Sequence, residues 1–327
     1  MKTIANKKYF NTYFSLGVMV LLIIAFALIE GRFLNAANVS NILSDTAPLM
    51  IMAAGMTPIL LLGSIDLSVG ALCSAANVSV LTIMLRFYDM GSSAYQSMLF
   101  AFIITLGFGV LAGLVLGFIH VKTKIPSFIA SLAFMSIWSS AALLISPASI
   151  SLPWAMWGTI DWFRISFGPL GLPLFVALVI IGIYYIVLTR TPFGRGVYAI
   201  GANERAARLA GIPVDRIKVA VFAINGFTTA LGAIFLMAHG RSAAPTAGTE
   251  FTLMVISSVV IGGTSLIGGS GSIINTVFGV FIIAIIRNGM NMVGVNVFWQ
   301  SIVFGSIILV AIALSTNRSS SRAFLVK

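Results

Sequence analysis

Ionisable side chains are what this chain has least of. Charged residues make up 8% of its 327 positions, where a soluble domain carries roughly a quarter. One cysteine, Cys73, excludes a disulfide framework within the chain and any cysteine-based metal site. It falls in an apolar run, where a thiol behaves as a small buried hydrophobe. The two histidines, His120 and His239, each stand at the end of such a run, and no H-E-x-x-H pair exists for a zinc hydrolase. There is no G-x-S-x-G nucleophile elbow and no pair of aspartates to hold Mg²⁺ against a diphosphate. The glycine-rich Gly262-Gly263-Thr264-Ser265-Leu266-Ile267-Gly268-Gly269-Ser270-Gly271 lacks the Lys-Ser/Thr ending of a phosphate-binding loop, and it lies between apolar runs, not after a strand. These absences predict no catalytic residue, no metal site, no cofactor bound by the chain and no ATPase site of its own.

What fills the chain instead is apolar surface: 59% hydrophobic residues and a mean hydropathy of +1.08. A helical span needs ~20 apolar residues, with ~17 the lower limit. Outer-membrane barrel strands would show short alternating segments, which are missing. The expected fold is an all-α polytopic membrane protein with about ten spans, at 10–29, 46–62, 67–85, 97–119, 126–145, 171–188, 217–239, 251–267, 270–287 and 296–314. The first is too long, and lacks the small-residue cleavage site, of a signal peptide. Only Gly63-Ser64-Ile65-Asp66 separates the second span from the third, and little more than Gly268-Gly269 the eighth from the ninth. These joins are turns at the surface or breaks inside the membrane.

Charge sidedness orients the spans. With both termini cytoplasmic, fourteen of the nineteen basic residues fall on inner segments, Arg318, Arg322 and Lys327 among them. The five outer ones (Arg32, Arg86, Arg164, Arg241 and Arg287) are balanced by Glu30, Asp45, Asp89, Asp161 and Glu250, so the whole formal +11 lies on one face. The basic balance is therefore a topology signal and gives no reason to expect a nucleic-acid partner.

The longest charged stretch runs from Arg190 to Lys218, with six basic and two acidic residues. Within it, Asn203-Glu204-Arg205-Ala206-Ala207-Arg208-Leu209-Ala210-Gly211 is written as a short helix. Asn203 is suited to cap its start, and Gly211 to take the left-handed position past its end. Glu204 and Arg208 are four apart in the favourable order. Two turns are too short to stand alone in water, so this helix needs a surface to lie on. Ion-driven transporters usually keep acidic residues in their spans, and here Asp66 is the only acid near one. A pathway lined by small polar and aromatic groups suits a neutral solute, with energy delivered by a soluble partner through residues 190–218.

Other motifs concern packing. Gly109, Gly113 and Gly117 make one face of the fourth span smooth for a neighbour. Pro48 and Pro58 invite a kink in the second. Pro147, Pro153, Trp154, Trp157 and Trp162 suit a connection, 146–170, that lies along the outer surface or shares in docking a partner. An internal echo aligns 63–70 with 262–269, matching at the first, fifth and eighth positions, as expected of repeated transporter halves. Asp66 is either the N-cap of the third span or a hydrogen-bond acceptor for a sugar hydroxyl or a gate.

At this point the chain resembles a known family. G-S-I-D-L-S-V-G at 63–70, T-P-F-G-R-G-V-Y-A-I-G-A-N-E-R-A-A-R-L-A-G-I at 191–212, A-P-T-A-G-T-E at 244–250, the G-G-T-S-L-I-G-G-S-G segment from 262, and N-G-M-N-M-V-G-V at 288–295 resemble, in order, the ribose-type permeases of bacterial ABC importers. Ser64 stands where the family pattern usually has glycine. Its E-A-A…G consensus appears here as Glu204, an inserted Arg205, Ala206, Ala207 and Gly211.

The resemblance covers essentially the whole chain, 1–327, as one permease domain of the inner membrane. It implies a second permease subunit, the same or similar, and two cytoplasmic ATPase subunits or one fused tandem, which hold the ATP and Mg²⁺. It also implies a periplasmic sugar-binding protein. Residues 203–211, within a cytoplasmic coupling loop at 190–218, look like the coupling helix. Leu209 and the alanines are expected to enter the ATPase groove, with Arg205 and Arg208 against its rim. Asp66, Ser68, Thr264, Ser265 and Asn288 are the expected pathway or gate residues. The competing readings are a stand-alone secondary transporter with Asp66 as its ion site, and a membrane scaffold that moves no solute.

Overall fold

The computed structural model describes residues 2–167 and 170–317. Its helices are α1 (Lys2–Ile29), α2 (Ala36–Leu61), α3 (Val69–Asp89), α4 (Ala94–Thr123), α5 (Ser127–Ile145), α6 (Leu172–Arg190), α7 (Pro192–Ala202), α8 (Glu204–Leu209), α9 (Val214–Gly240), α10 (Phe251–Ile261), α11 (Ile273–Met292) and α12 (Val297–Asn317). Among the described residues seven of these, α2 to α6, α9 and α11, are long and apolar enough to cross a membrane. Shorter apolar stretches, Ser15–Ile29, Phe251–Ile261 and Phe298–Val310, fall where the first, eighth and tenth spans were expected. Arg318, Arg322 and Lys327, counted above on the inner face, lie outside the described residues.

Hydropathy and burial run in opposite directions across the helices. The most apolar window of α4 has hydropathy 2.6 and is 33% buried, while that of α2 has 1.3 and is 83% buried. This is the order expected when the outermost helices meet lipid and the inner ones meet only protein. Lipid tails are as apolar as leucine, so the interior is held by close packing of small residues and by hydrogen bonds. The stripe on α4 is such a contact. A Cβ at Gly113 would fall on the Phe222 carbonyl oxygen of α9, and one at Gly117 would stand 2.9 Å from the Phe222 Cβ. Gly109 meets Gly226 of α9 in the same way.

Several boundaries differ from expectation. The second helix begins at Ala36, ten residues before 46, because Asn35 accepts a hydrogen bond from the Ala37 N–H and starts it early. The eighth span, expected to reach 267, stops at Ile261, where Gly262 and Gly263 close the helix. The stretch after Arg190 is largely helical. Thr191 accepts from the Gly194 N–H, and Pro192 sits in the first turn of α7, where its missing N–H costs nothing.

The chain is also not purely α. Strands β1 (Ile150–Ser151), β2 (Ser166–Phe167), β3 (Leu170–Gly171) and β4 (Ser242–Ala243) form two antiparallel pairs, β1 with β4 and β2 with β3. The β1–β4 pair ties connection 146–170 to the end of α9. There Arg241 pairs with Asp161 at 2.6 Å and lies 4.0 Å over the Trp157 ring. Trp154 in the same connection is 83% exposed.

Candidate functional site

Two helices end in the same way, α2 at Gly63 and α10 at Gly263. At the end of α2 the Gly63 N–H donates to Leu60 O and the Ser64 N–H to Ile59 O, with Gly63 at φ +74°. At the end of α10 the Gly263 N–H donates to Val260 O and the Thr264 N–H to Val259 O, with Gly263 at φ +84°. Both are Schellman closures, in which a left-handed residue lets the last carbonyls of a helix be satisfied. The internal echo is therefore real at the level of the backbone, but its register is Gly63 with Gly263, one residue away from the alignment read from the sequence.

The two breaks touch. The Gly269 N–H donates to Leu61 O at 2.8 Å, and the position of a Cβ on Gly63 is 2.7 Å from the Ile267 carbonyl oxygen.

The first break is enclosed by the bundle. Its backbone N–H groups at Ile65 and Leu67 donate to the hydroxyls of Ser127 and Ser131 at 3.0 Å each, both on α5. Asp66 is buried; one carboxylate oxygen accepts from the Ser68 N–H (2.9 Å) and hydroxyl (2.6 Å), and the other accepts from Asn225 Nδ2 at 2.9 Å. Asn225 lies eleven residues into α9, about 16 Å from its start at the usual helical rise. Asp66 is not the N-cap of α3. Ser68 holds that position, without a side-chain capping bond, and Asp66 lies two residues earlier.

Beneath the breaks lies the charged segment. Asn203 caps α8 by accepting from the Ala206 N–H at 3.1 Å, and Gly211, at φ +79°, closes it with donation from the Ile212 N–H to Ala207 O. The surface it needed is its own chain. Glu204 pairs with Lys218 of α9 at 2.8 Å, and Arg208 with Asp215 of α9 at 2.7 Å and with Glu204 at 3.4 Å. Partial burial pulls the Glu204 pKa upward, but the Lys218 and Arg208 charges and hydrogen bonds outweigh it and hold it below the ordinary value. The hydrogen bond Arg208 donates to Asp215, with the charge of that carboxylate, raises the pKa of Arg208. Ala207 is buried, whereas Arg205, Ala206 and Leu209 are exposed, Leu209 by 90%.

Helix α7 connects this segment to both breaks. The Tyr198 hydroxyl donates to Gly271 O at 3.0 Å. A Cβ on Gly269 would stand 2.8 Å from the Ala202 Cα, and one on Gly201 would fall on the Leu61 carbonyl oxygen. Close-packed contacts of this kind transmit strain between the elements that make them.

The other expected pathway residues are only partly gathered. Thr264 is buried with its hydroxyl unpartnered, and the Ser265 hydroxyl accepts from the Ile267 N–H, so both belong to the second break. Asp66 and Ser68 hold the first. Asn288 stands apart, exchanging two 3.0 Å hydrogen bonds with Asn38 near the start of α2, at the opposite end of that helix from Asp66. Sequence reading missed Asn225 and Asn77. Asn77 donates to Ala233 O and accepts from the Ala244 N–H. The available signal was a lone amide in an apolar span, which is costly unless paired.

Against known proteins, residues 38–312 match the family described as branched-chain amino acid transport system / permease component. The ribose import permease protein RbsC of Bacillus subtilis is 36% identical over 93% of this chain and 92% of its own length. RbsC of Escherichia coli K12 is 33% identical, over 97% and 99%. A probable ABC transporter permease protein, y4mJ of Sinorhizobium fredii, is 31% identical over 94% and 89%. No solved structure matches the chain.

Proposed function

The chain belongs to the branched-chain amino acid transport system / permease component family, and on that premise we propose that it is the membrane subunit of an ABC importer for a neutral sugar. The relatives that cover nearly its whole length are ribose import permeases, which favours a sugar over an amino acid and an ABC system over a stand-alone carrier. The protein is then a multi-pass protein of the bacterial inner membrane and a transport subunit, not an enzyme. Ten spans with both termini cytoplasmic fit the three shorter apolar helices and the charge sidedness.

The partners are two ATPase subunits or one fused tandem in the cytoplasm, which bind ATP and Mg²⁺. A second permease subunit and a periplasmic sugar-binding protein complete the complex.

One observation carries the mechanism: α8 is ion-paired to α9, while the adjoining α7 touches both glycine breaks. Closure of the ATPases on ATP presses on the exposed Arg205, Ala206 and Leu209. Glu204 and Arg208 act as braces that pass the displacement to α9 through Lys218 and Asp215. Helix α7 passes it to the breaks, where the path changes its access from outside to inside. A ligand shifts such an equilibrium only by its differential contacts with the two states, and the ATPase has those contacts at α8. The test replaces Glu204 and Arg208 together by Gln in the reconstituted complex and measures ATP hydrolysis stimulated by the sugar-loaded binding protein. Stimulation is expected to be lost with basal hydrolysis retained, and normal stimulation would refute the coupling role.

A further inference from the structure

A cavity of about 130 Å³ opens between α3, α5 and the 245–252 segment that leads into α10. Five hydroxyls line it, those of Ser74, Ser139, Thr246, Thr249 and Thr252, together with apolar groups such as Met135, and no lining residue is charged. Two of the hydroxyls are fixed from behind. The Gly248 N–H donates to Ser74 Oγ at 2.9 Å, and the Gly70 N–H to Thr252 Oγ1 at 3.0 Å. The Thr252 hydroxyl also donates to Leu67 O at 3.5 Å; a hydroxyl has one donor and two acceptor sites, so Ser74 keeps both roles for a ligand and Thr252 an acceptor site. The backbones can come this close because both partners are glycines: a Cβ on Gly248 would stand 2.8 Å from the Ser74 nitrogen.

The cavity lies toward the end of the bundle where α5 stops and α9 gives way to α10, its wall at 245–249 belonging to the connection between those two helices. Ser139 lies twelve residues into α5 and six before its end, about 18 Å from the first at the helical rise. Its wall on α3 begins where the first break ends. Hydroxyls facing hydrocarbon are normally turned back onto their own helix, as Ser136 does to Leu132 O. Ser139 and Thr246 make no such bond and are exposed, while the exposed Thr249 hydroxyl donates to Thr246 O at 2.9 Å. An unpaired hydroxyl in hydrocarbon is costly, so this mouth faces water or another polar surface, not lipid.

We propose that this cavity is the sugar-contacting part of the pathway, its open side turned toward the second permease subunit. The inference rests on the importer reading above and deepens it by naming where the solute is held and of what class it is. A neutral polyol exchanges its water hydrogen bonds for those of the five hydroxyls. A zwitterionic amino acid would bring an ammonium and a carboxylate into a lining that offers neither a countercharge, so the family's amino-acid description does not fit this lining.

The test introduces S139C and T246C singly into the full complex; the native Cys73 is fully buried and gives little background. I137C, on the same helix and half exposed, serves as the lipid-side reference. Expected is labelling of both cysteines, but not of I137C, by a charged water-soluble thiosulfonate, and loss of that labelling when transported sugar is supplied with its binding protein. Labelling of both only by a lipid-soluble maleimide, or aqueous labelling unchanged by sugar, overturns the proposal. Sugar-stimulated ATP hydrolysis is measured on the same samples. Its presence beside a negative labelling result leaves the importer reading standing, and its absence with every neutral sugar sinks that reading first.

Discussion

Asn225 donates to the carboxylate of Asp66 at 2.9 Å across 159 residues of chain, with both side chains buried. The bond fastens the first glycine break to α9, the helix that follows α8. Asn225 lies seven residues beyond Lys218, two turns along α9, so the brace at Glu204 and the latch at Asp66 share one helix face.

Replacing Asn225 by Leu should leave a buried carboxylate one donor short. An unsatisfied buried partner costs about 1–3 kcal/mol, more when charged. The expected result is a lower melting temperature of the purified complex together with reduced sugar uptake. D66N, which keeps a polar group at the other end of the latch, should lower stability less than N225L does. The comparison is read by thermal denaturation in detergent.

The α4–α9 contact predicts a sharp contrast between two glycines of one helix. G113L should drive a side chain into the Phe222 carbonyl, and overpacking of a tight contact costs about 1–3 kcal/mol. G107A meets nothing within 4 Å and should leave folding intact. Yield and melting temperature of the two variants, measured side by side, decide this.

Glu204 predicts an acid-sensitive docking of α8. Its folded pKa lies below the ordinary 4.5 because Lys218 and Arg208 outweigh burial. Its contribution is therefore complete above the unfolded value and is lost as the pH falls from about 4.5 through the lowered folded value. A spin label on the exposed position 209 should become more mobile over that window. E204Q should show the mobile spectrum at neutral pH and no further change on acidification.

How much of this was legible in the sequence depends on how local each signal is. The α8 helix was readable because Asn203, the Glu204–Arg208 pair and Gly211 lie within nine residues and act on one another. The smooth face of α4 was readable because helical spacing alone sets it, although its partner on α9 was not. The end of α10 was misjudged because Leu266 and Ile267 keep the window apolar past Gly262 and Gly263, and hydropathy does not register a left-handed glycine. Matching identities put the echo one residue out, while the paired capping bonds at Ser64 and Thr264 fix its register. The Asp66–Asn225 bond, the hydroxyl cavity and the α7 contacts with both breaks arise from chain segments far apart, and nothing local announces them.

Leu209 is the most exposed apolar residue of α8, the helix proposed to receive the energy of ATP hydrolysis. The most direct measurement is ATP hydrolysis by reconstituted complexes carrying L209D, with and without the sugar-loaded binding protein. A carboxylate here alters only the face turned away from the chain's own fold, so assembly and basal hydrolysis should persist while stimulation by sugar disappears. Stimulation equal to that of the unmodified complex would contradict the account.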